Sequence, residues 1–215
     1  MEFLKAFIDF ILHLDKHLEL IVMQYQTTTY FILALIIFCE TGLVATPFLP
    51  GDSLLFAAGA IAAKMGVLQI EVLIPLLFGA AILGDNVNYI IGRYLGNWVL
   101  KSKILRKVVK QEYLDRTHRF YEEHGGKTIV IARFIPIIRT FTPFVAGLGE
   151  MSYKRYITFC IVGGLLWVNL LTLAGFYFGN MEFVKKNFEL VIFAIIGISL
   201  LPVIIGFVKS KASRT

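Results

Sequence analysis

Residues 132–147 form an apolar stretch that carries two arginines and two prolines. An arginine at the centre of a membrane helix costs about 2.5–3.5 kcal/mol on insertion scales, and both Arg133 and Arg139 lie here. Pro136 and Pro143 each remove a backbone donor and clash with the preceding turn. In lipid, such broken backbone is tolerated only where protein or a watery cavity covers it. The stretch therefore predicts a broken helix that buries a site, rather than a straight span or a water-soluble core.

A second apolar stretch, residues 40–59, carries the opposite charge. Its two charged side chains are the carboxylates of Glu40 and Asp52. The residues expected to break its helix are Pro47, Pro50 and Gly51. Because a break in mid-membrane rules out a straight helix, a re-entrant hairpin fits this stretch better. We expect its carboxylates to meet the guanidinium groups of the first stretch inside the membrane.

The composition is that of a polytopic membrane protein. Of the 215 residues, 57% are hydrophobic and only 17% are charged, against roughly 25% charged residues in a soluble domain. The net charge of +6 comes from basic residues between spans and near the C-terminus, which fits orientation in the bilayer better than nucleic-acid binding. Cys39 and Cys160 lie in apolar runs and suggest no disulfide framework. His13 and His17 lack a third strong ligand, so a solvated helix face is the better interpretation and no metal is predicted.

Hydropathy and charge predict an all-α integral membrane protein with about four transmembrane helices and two re-entrant helical hairpins in an inverted repeat. We expect spans at residues 28–43, 72–92, 156–181 and 190–208, and hairpins at 44–65 and 128–149. A single membrane domain, 1–215, would comprise an interfacial amphipathic helix at 1–26, a first half at 27–97, a cytoplasmic basic amphipathic loop at 98–127 and a second half at 128–215. The positive-inside rule places both termini and this loop in the cytoplasm, where the loop would contact anionic lipid headgroups.

Three short matches indicate an internal repeat. The pattern Gly-x-Tyr-x-Gly-Asn occurs at 92–97 and again at 175–180, and Phe-x-Pro occurs at 48–50 and 134–136. Ala-Gly recurs at 58–59 and 146–147. The charge pattern gives the two halves opposite orientations, and inverted repeats with discontinuous segments are typical of transporter sites.

A polar cluster lies within the span expected at 72–92. Asp85 and Asn88 share a helix face by their spacing, and Arg93 follows at the end of the span. They either extend a polar path through the membrane or bond locally, with Asp85 paired to Asn88 or Arg93.

Segments 38–56, 84–93 and 124–147 resemble the DedA family of bacterial inner-membrane proteins, which carry a SNARE-associated or VTT-type domain. The resemblance implies a role in membrane homeostasis that depends on the proton-motive force. It also implies translocation of lipids, either undecaprenyl phosphate or phospholipids. Functional acids of the family match Glu40 and Asp52, and functional arginines match Arg133 and Arg139.

The leading hypothesis is a proton-coupled lipid-phosphate translocase without a cofactor. Arg133 and Arg139 would bind the phosphate, since guanidinium groups suit it, and Glu40 and Asp52 would couple protons. A small-ion or drug/proton exchanger and a non-transporting scaffold are the alternatives, and static buried ion pairs would explain the four charges without a site. No nucleophile elbow, HExxH or P-loop pattern supports an enzyme. A homo-oligomer is left open.

Overall fold

A computed structural model describes residues 14–43, 51–101 and 126–187, together with 190–191, 194–195 and 197. The described residues are helical, with no strand among them. The helices are α1 (Leu14–Tyr25), α2 (Thr28–Gly42), α3 (Gly51–Met65), α4 (Ile70–Lys101), α5 (Lys127–Ala132), α6 (Pro136–Leu148), α7 (Tyr153–Phe178) and α8 (Glu182–Lys186).

Two of these helices are long and apolar enough to cross a membrane. They are Ile70–Leu95 within α4 and Tyr153–Phe178, each with 26 residues. They correspond to the spans expected at 72–92 and 156–181, although α4 continues through Arg93 to Lys101. Helix α2 has 15 residues, fewer than the roughly 20 that a helical span needs. The span expected at 190–208 lies almost wholly outside the described residues.

The second broken segment is present in the structure. Helix α5 ends at Ala132 and α6 begins at Pro136. Ile135, just before the proline, is extended with φ −119° and ψ 105°, because the proline ring disfavours the helical conformation in the preceding residue. The break expected between 128 and 149 therefore falls beside Arg133.

The first broken segment is described only in part. Pro47 and Pro50 lie outside the described residues, as does most of the connection between α2 and α3. Helix α3 begins at Gly51 and places Asp52 in its first turn. It ends where Gly66 takes the left-handed conformation, φ 66°, which glycine adopts without steric cost.

The chain forms two compact units that interleave in sequence. The first unit draws on 1–35, 50–77 and 168–215, and the second on 36–49 and 78–167. Each unit takes helices from both expected repeat halves, 27–97 and 128–215, and the single membrane domain expected over 1–215 stays a prediction. Pattern repeats show which segments are alike, and not which segments pack together.

Helix α1, the first of the described helices, packs on α3 inside the first unit. Leu18 and Val22, one turn apart, are each only 1% exposed. Glu19 forms an ion pair with Lys64 near the end of α3. The interfacial location expected for residues 1–26 stays a prediction, and residues 1–13 lie outside the described part.

Each unit contains a helix crossing built on two glycines. In the first unit, a Cβ added to Gly59 would clash with the Thr172 carbonyl, and one added to Gly175 with the Phe56 carbonyl. In the second unit the same clashes pair Gly147 with the Tyr89 carbonyl and Gly92 with the Phe144 carbonyl. Both crossings have a glycine three residues after each contacted carbonyl. This shared geometry supports the internal repeat, whereas its inverted orientation stays a prediction.

Candidate functional site

Arg133 lies at the helix break between α5 and α6 and points into the interior of the second unit, where it is 4% exposed. Its Nη2 donates to Oδ2 of Asp85 on α4, which is 1% exposed. The Cys160 thiol on α7 lies 3.2 Å from the same Nη2 and 3.2 Å from the same carboxylate oxygen. One buried ion pair thus joins the break to both long helices.

Arg139 forms a second buried ion pair in the same unit. Its Nη2 donates to Oε1 of Glu40 over 2.5 Å, and the two side chains are 3% and 0% exposed. Glu40 belongs to the last turn of α2, and Arg139 lies one turn into α6. The structure thus brings together one carboxylate of the stretch 40–59 and one arginine of the stretch 132–147.

Trp167 lies against both guanidinium groups. Its ring centroid is 4.5 Å from Cζ of Arg139 and 6.0 Å from Cζ of Arg133. The indole is 1% exposed, so its attraction to the cations acts away from water, where it is strongest. The two ion pairs therefore share one aromatic wall.

A tyrosine cluster links Asp85 to the surface of the second unit. The Tyr156 hydroxyl donates to the Asp85 backbone carbonyl over 2.9 Å, and its ring stacks on Tyr89 at 4.3 Å. The exposed Arg93 donates to the Tyr89 hydroxyl over 2.9 Å. Arg93 therefore lies at the outer end of this cluster, and the Asp85 carboxylate pairs with Arg133.

A small cleft lies beside the ion pairs. It is lined by Asp85, Ile129, Arg133, Arg139, Thr142, Pro143, Tyr156 and Cys160. Its free space fits roughly one water molecule. Within the described part of the chain, Nε and Nη1 of Arg133 have no hydrogen-bond partner although both are buried. Since buried donors are normally paired, these two atoms mark a place suited to an acceptor.

The remaining predicted site residues are placed as follows. Asp52 is 9% exposed and belongs to the first unit. Asn88 is fully buried on α4 in the second unit. Pro136 starts α6. Pro143 was also expected to break the helix, but α6 continues through it to Leu148. Of the basic loop at 98–127, residues 102–125 lie outside the described residues.

The sequence hypothesis missed part of this site. It treated Asp85 as a local partner or path residue, assigned Cys160 only to packing, and gave Trp167 and Tyr156 no role. The sequence could have predicted a role for Asp85. It is a third carboxylate in an apolar segment, besides Glu40 and Asp52, and such a group needs a cationic partner. Trp167 and Tyr156 carry no such signal, since buried aromatics are common in any helical core.

Comparison of the sequence with known proteins places the chain in a family. Residues 49–177 match the VTT domain. The chain is 51% identical to Protein DedA of Escherichia coli strain K12 over 212 residues, which cover 98% of this chain and 96% of that one. The chain belongs to the DedA family. No solved structure matches it.

Other relatives are similar over shorter lengths. An uncharacterized membrane protein of Mycobacterium leprae strain TN is 48% identical over 171 residues, covering 80% of this chain and 76% of that protein. Inner membrane protein YqjA of Escherichia coli strain K12 is 41% identical over 151 residues, covering 70% and 68%.

Proposed function

We propose that this protein is an inner-membrane transporter that moves a lipid phosphate and couples the movement to protons. The observation that carries the proposal is the pair of buried arginine–carboxylate contacts, Arg133 with Asp85 and Arg139 with Glu40, on one tryptophan beside a helix break. Charged groups at membrane depth are expensive and are typical of substrate or proton pathways. The name of YqjA and the family resemblance support the inner membrane as its location.

Phosphate is the substrate chemistry that two neighbouring guanidinium groups fit best. Each guanidinium is planar and always charged, and it presents donors that match phosphate oxygens. Nε and Nη1 of Arg133 are buried donors without a partner among the described residues. In the proposal a phosphate oxygen accepts from them while the lipid tail stays in the bilayer.

Charge balance supplies the coupling to protons. The two ion pairs together are neutral. A phosphate monoester brings about −1.5 to −2 charges, and an uncompensated buried charge is costly. Protonation of Asp85 and Glu40 restores neutrality and at the same time releases the guanidinium groups. We therefore expect up to two protons for each monoester and one for each diester.

The ion-paired arrangement is the resting state in this proposal. A cleft with room for roughly one water molecule cannot hold a phosphate until the pairs separate. The break at 133–135, between α5 and α6, is where the backbone can change direction with the fewest helical hydrogen bonds lost. Asp52, in the first unit, is proposed as a further proton site on the strength of the family resemblance.

The test is transport in proteoliposomes with a pH gradient. The probe is a fluorescent polyprenyl monophosphate, compared with a fluorescent phosphatidylglycerol as the diester. Arg139→Lys keeps the charge but loses the planar fork, so transport should fall at least tenfold, a cost of about 1.4 kcal/mol. Arg155→Lys is the matched control, because Arg155 is exposed in the same unit, and it should behave as the parent.

The outcomes separate the competing functions. Unchanged lipid transport in Arg139→Lys and Arg133→Lys would contradict the site assignment. Proton flux that needs no added lipid would favour a small-ion or drug/proton exchanger. A parent protein that moves neither protons nor lipid, yet restores growth to a strain that lacks it, would favour a scaffold.

A further inference from the structure

Asn88 sits where three helices of the second unit meet. It lies on α4, is 0% exposed, and is one helical turn after Asp85. Its side-chain amide donates to the Thr41 carbonyl over 3.0 Å and to the Thr140 carbonyl over 2.7 Å. Both hydrogens of one amide thus reach two other helices, α2 and α6.

The two carbonyls are adjacent in sequence to the members of one ion pair. Thr41 follows Glu40, and Thr140 follows Arg139. Thr41 lies in the last turn of α2, where carbonyls run out of donors from their own helix. Thr140 lies in α6 beside a turn weakened by Pro143, which has no N–H to give to the Arg139 carbonyl. Asn88 therefore holds the backbone at the residue that follows each partner of this ion pair.

Other contacts bring α2 against α4 at the same level. A Cβ added to Gly84 would clash with the Thr41 hydroxyl and lie 2.7 Å from the Phe38 carbonyl. The Thr41 hydroxyl also lies 3.3 Å from the Ala81 carbonyl. These contacts fix α2 on α4 without reaching α6, whereas the single amide of Asn88 contacts α2 and α6 at once.

We propose that Asn88 is a positioning residue that sets the spacing between the two arginine–carboxylate pairs. It shares α4 with Asp85, the partner of Arg133, and it fixes the backbone beside both Glu40 and Arg139. The spacing it sets is the distance between the two guanidinium groups, which a phosphate must bridge. The effect of Asn88 on the ion pairs follows from the geometry alone. Its effect on transport rests, in addition, on the proposed function.

Asn88 has a near neighbour that serves as a control. Asn86 is two residues earlier on α4, and its amide donates to Ile82 of its own helix over 2.7 Å. Its Oδ1 accepts from the Tyr153 hydroxyl over 2.8 Å. Asn86→Leu therefore removes the same chemical group and a comparable number of hydrogen bonds without touching α2 or α6.

The first measurement is a double-mutant cycle on the melting temperature in detergent, which needs no substrate. Glu40→Gln is made in the parent, in Asn88→Leu and in Asn86→Leu. If Asn88 holds the pair together, the loss in melting temperature caused by Glu40→Gln is clearly smaller in Asn88→Leu than in the parent, because sites that share a structure are not additive. In Asn86→Leu it is unchanged.

The second measurement separates positioning from substrate binding. In proteoliposomes, Asn88→Leu should lower the maximal rate of monophosphate transport roughly tenfold or more, since small misplacements of binding groups are costly. The half-saturating lipid concentration should rise by a smaller factor, because both guanidinium groups remain as donors and only their spacing is altered. Asn86→Leu should leave both values near those of the parent.

Additive losses in the Asn88→Leu cycle would overturn the inference. Asn88→Ser repeats the cycle with a smaller side chain if the leucine variant does not fold. Failure of both variants to fold would also overturn it, since Asn88 would then serve general stability. A parent that moves no lipid phosphate would refute the proposed function instead, and the thermal cycle would still decide the role of Asn88.

Discussion

At the scale of single residues, the Glu40–Arg139 pair makes a prediction about stability. Removing one partner of a buried pair leaves an uncompensated charge and costs about 3–5 kcal/mol, whereas replacing both with apolar residues is often neutral. We expect Glu40→Leu and Arg139→Leu each to lower the free energy of unfolding by about that amount. The double variant Glu40→Leu/Arg139→Leu should be more stable than either single one.

Chemical denaturation in detergent measures these differences. Glu71→Leu is the control, because Glu71 is an exposed acid and should change stability little. A double variant as unstable as the sum of the two single variants would show that each side chain is held by contacts outside the pair. It would also leave no thermodynamic reason for protonation to release Arg139.

Trp167 makes a second prediction at this scale. Because its ring lies 4.5 Å from Cζ of Arg139, Trp167→Phe keeps an aromatic face while Trp167→Leu loses it. A desolvated cation–π contact is worth about 2 kcal/mol, so the leucine variant should be less stable than the phenylalanine variant by roughly that amount. In an Arg139→Leu background the difference should shrink, and an unchanged difference would assign it to packing instead.

The residue scale also shows what the sequence could reveal about the site. Arg133 and Arg139 stand out because charges in apolar runs demand partners, and the structure does bury both. The partner of Arg133 did not follow from the sequence. Helical spacing suggested Asn88 or Arg93 as the partner of Asp85. Its partner in the structure is Arg133, which lies 48 residues away in sequence. A long-range pairing of this kind depends on tertiary packing, which periodicity does not contain.

At the scale of helices, the crossing of α4 and α6 rests on glycine. A Cβ at Gly92 would clash with the Phe144 carbonyl, whereas one at Gly79 on the same helix meets nothing within 4 Å. Ala is favoured over Gly within helices by about 1 kcal/mol, and overpacking costs typically about 1–3 kcal/mol. We expect Gly92→Ala to destabilise the protein and Gly79→Ala to be neutral or stabilising, as measured by thermal denaturation.

The two alanine variants test the crossing as a pair. They make the same chemical change on one helix, so a difference between them reports the space available rather than helix propensity. Equal stability of Gly92→Ala and Gly79→Ala would mean that α4 and α6 lie further apart than the structure places them. Gly147→Ala, which meets the Tyr89 carbonyl from the other side, should reproduce the loss seen at Gly92.

The break before Pro136 was predictable from the sequence, whereas the continuous helix through Pro143 and the end of α4 were not. Pro136 acts through local sterics, so the break before it follows from two or three residues. The end of α4 does not, because Arg93 can project to the surface and bond Tyr89 while the helix continues to Lys101. A charged residue marks the end of an apolar segment, but it does not by itself end the helix.

At the scale of the whole molecule, the repeat shows which segments are alike, and the two compact units show which segments pack together. Matching residues are separated by 88 positions from Gly59 to Gly147 and by 83 from Gly92 to Gly175, and all four glycines lie in equivalent crossings. Each crossing pairs a helix of a broken segment with a long helix from the other half of the chain. Sequence similarity identified the matching segments, but their exchange between halves had no local signal.

The orientation in the membrane yields the last prediction. If α4 and α7 both cross and basic segments face the cytoplasm, Tyr94 and Ser152 lie inside whereas Val67 and Glu182 lie outside. All four are exposed, so each can be replaced by cysteine and labelled in intact cells with a membrane-impermeant maleimide. Val67→Cys and Glu182→Cys should label at once, and Tyr94→Cys and Ser152→Cys only after permeabilisation.

The parent protein is the blank for this labelling, since Cys160 is buried and Cys39 only partly exposed. The labelling pattern of the four sites distinguishes a wrong orientation in the membrane from a wrong assignment of the spans. A complete reversal would keep both crossings and refute only the cytoplasmic assignment of the basic segments. Labelling of Ser152→Cys and Glu182→Cys from the same side would mean that α7 does not span the bilayer. The ion pairs that it helps to enclose would then lie outside the core of the bilayer, where they could not couple protons to the movement of a lipid across it.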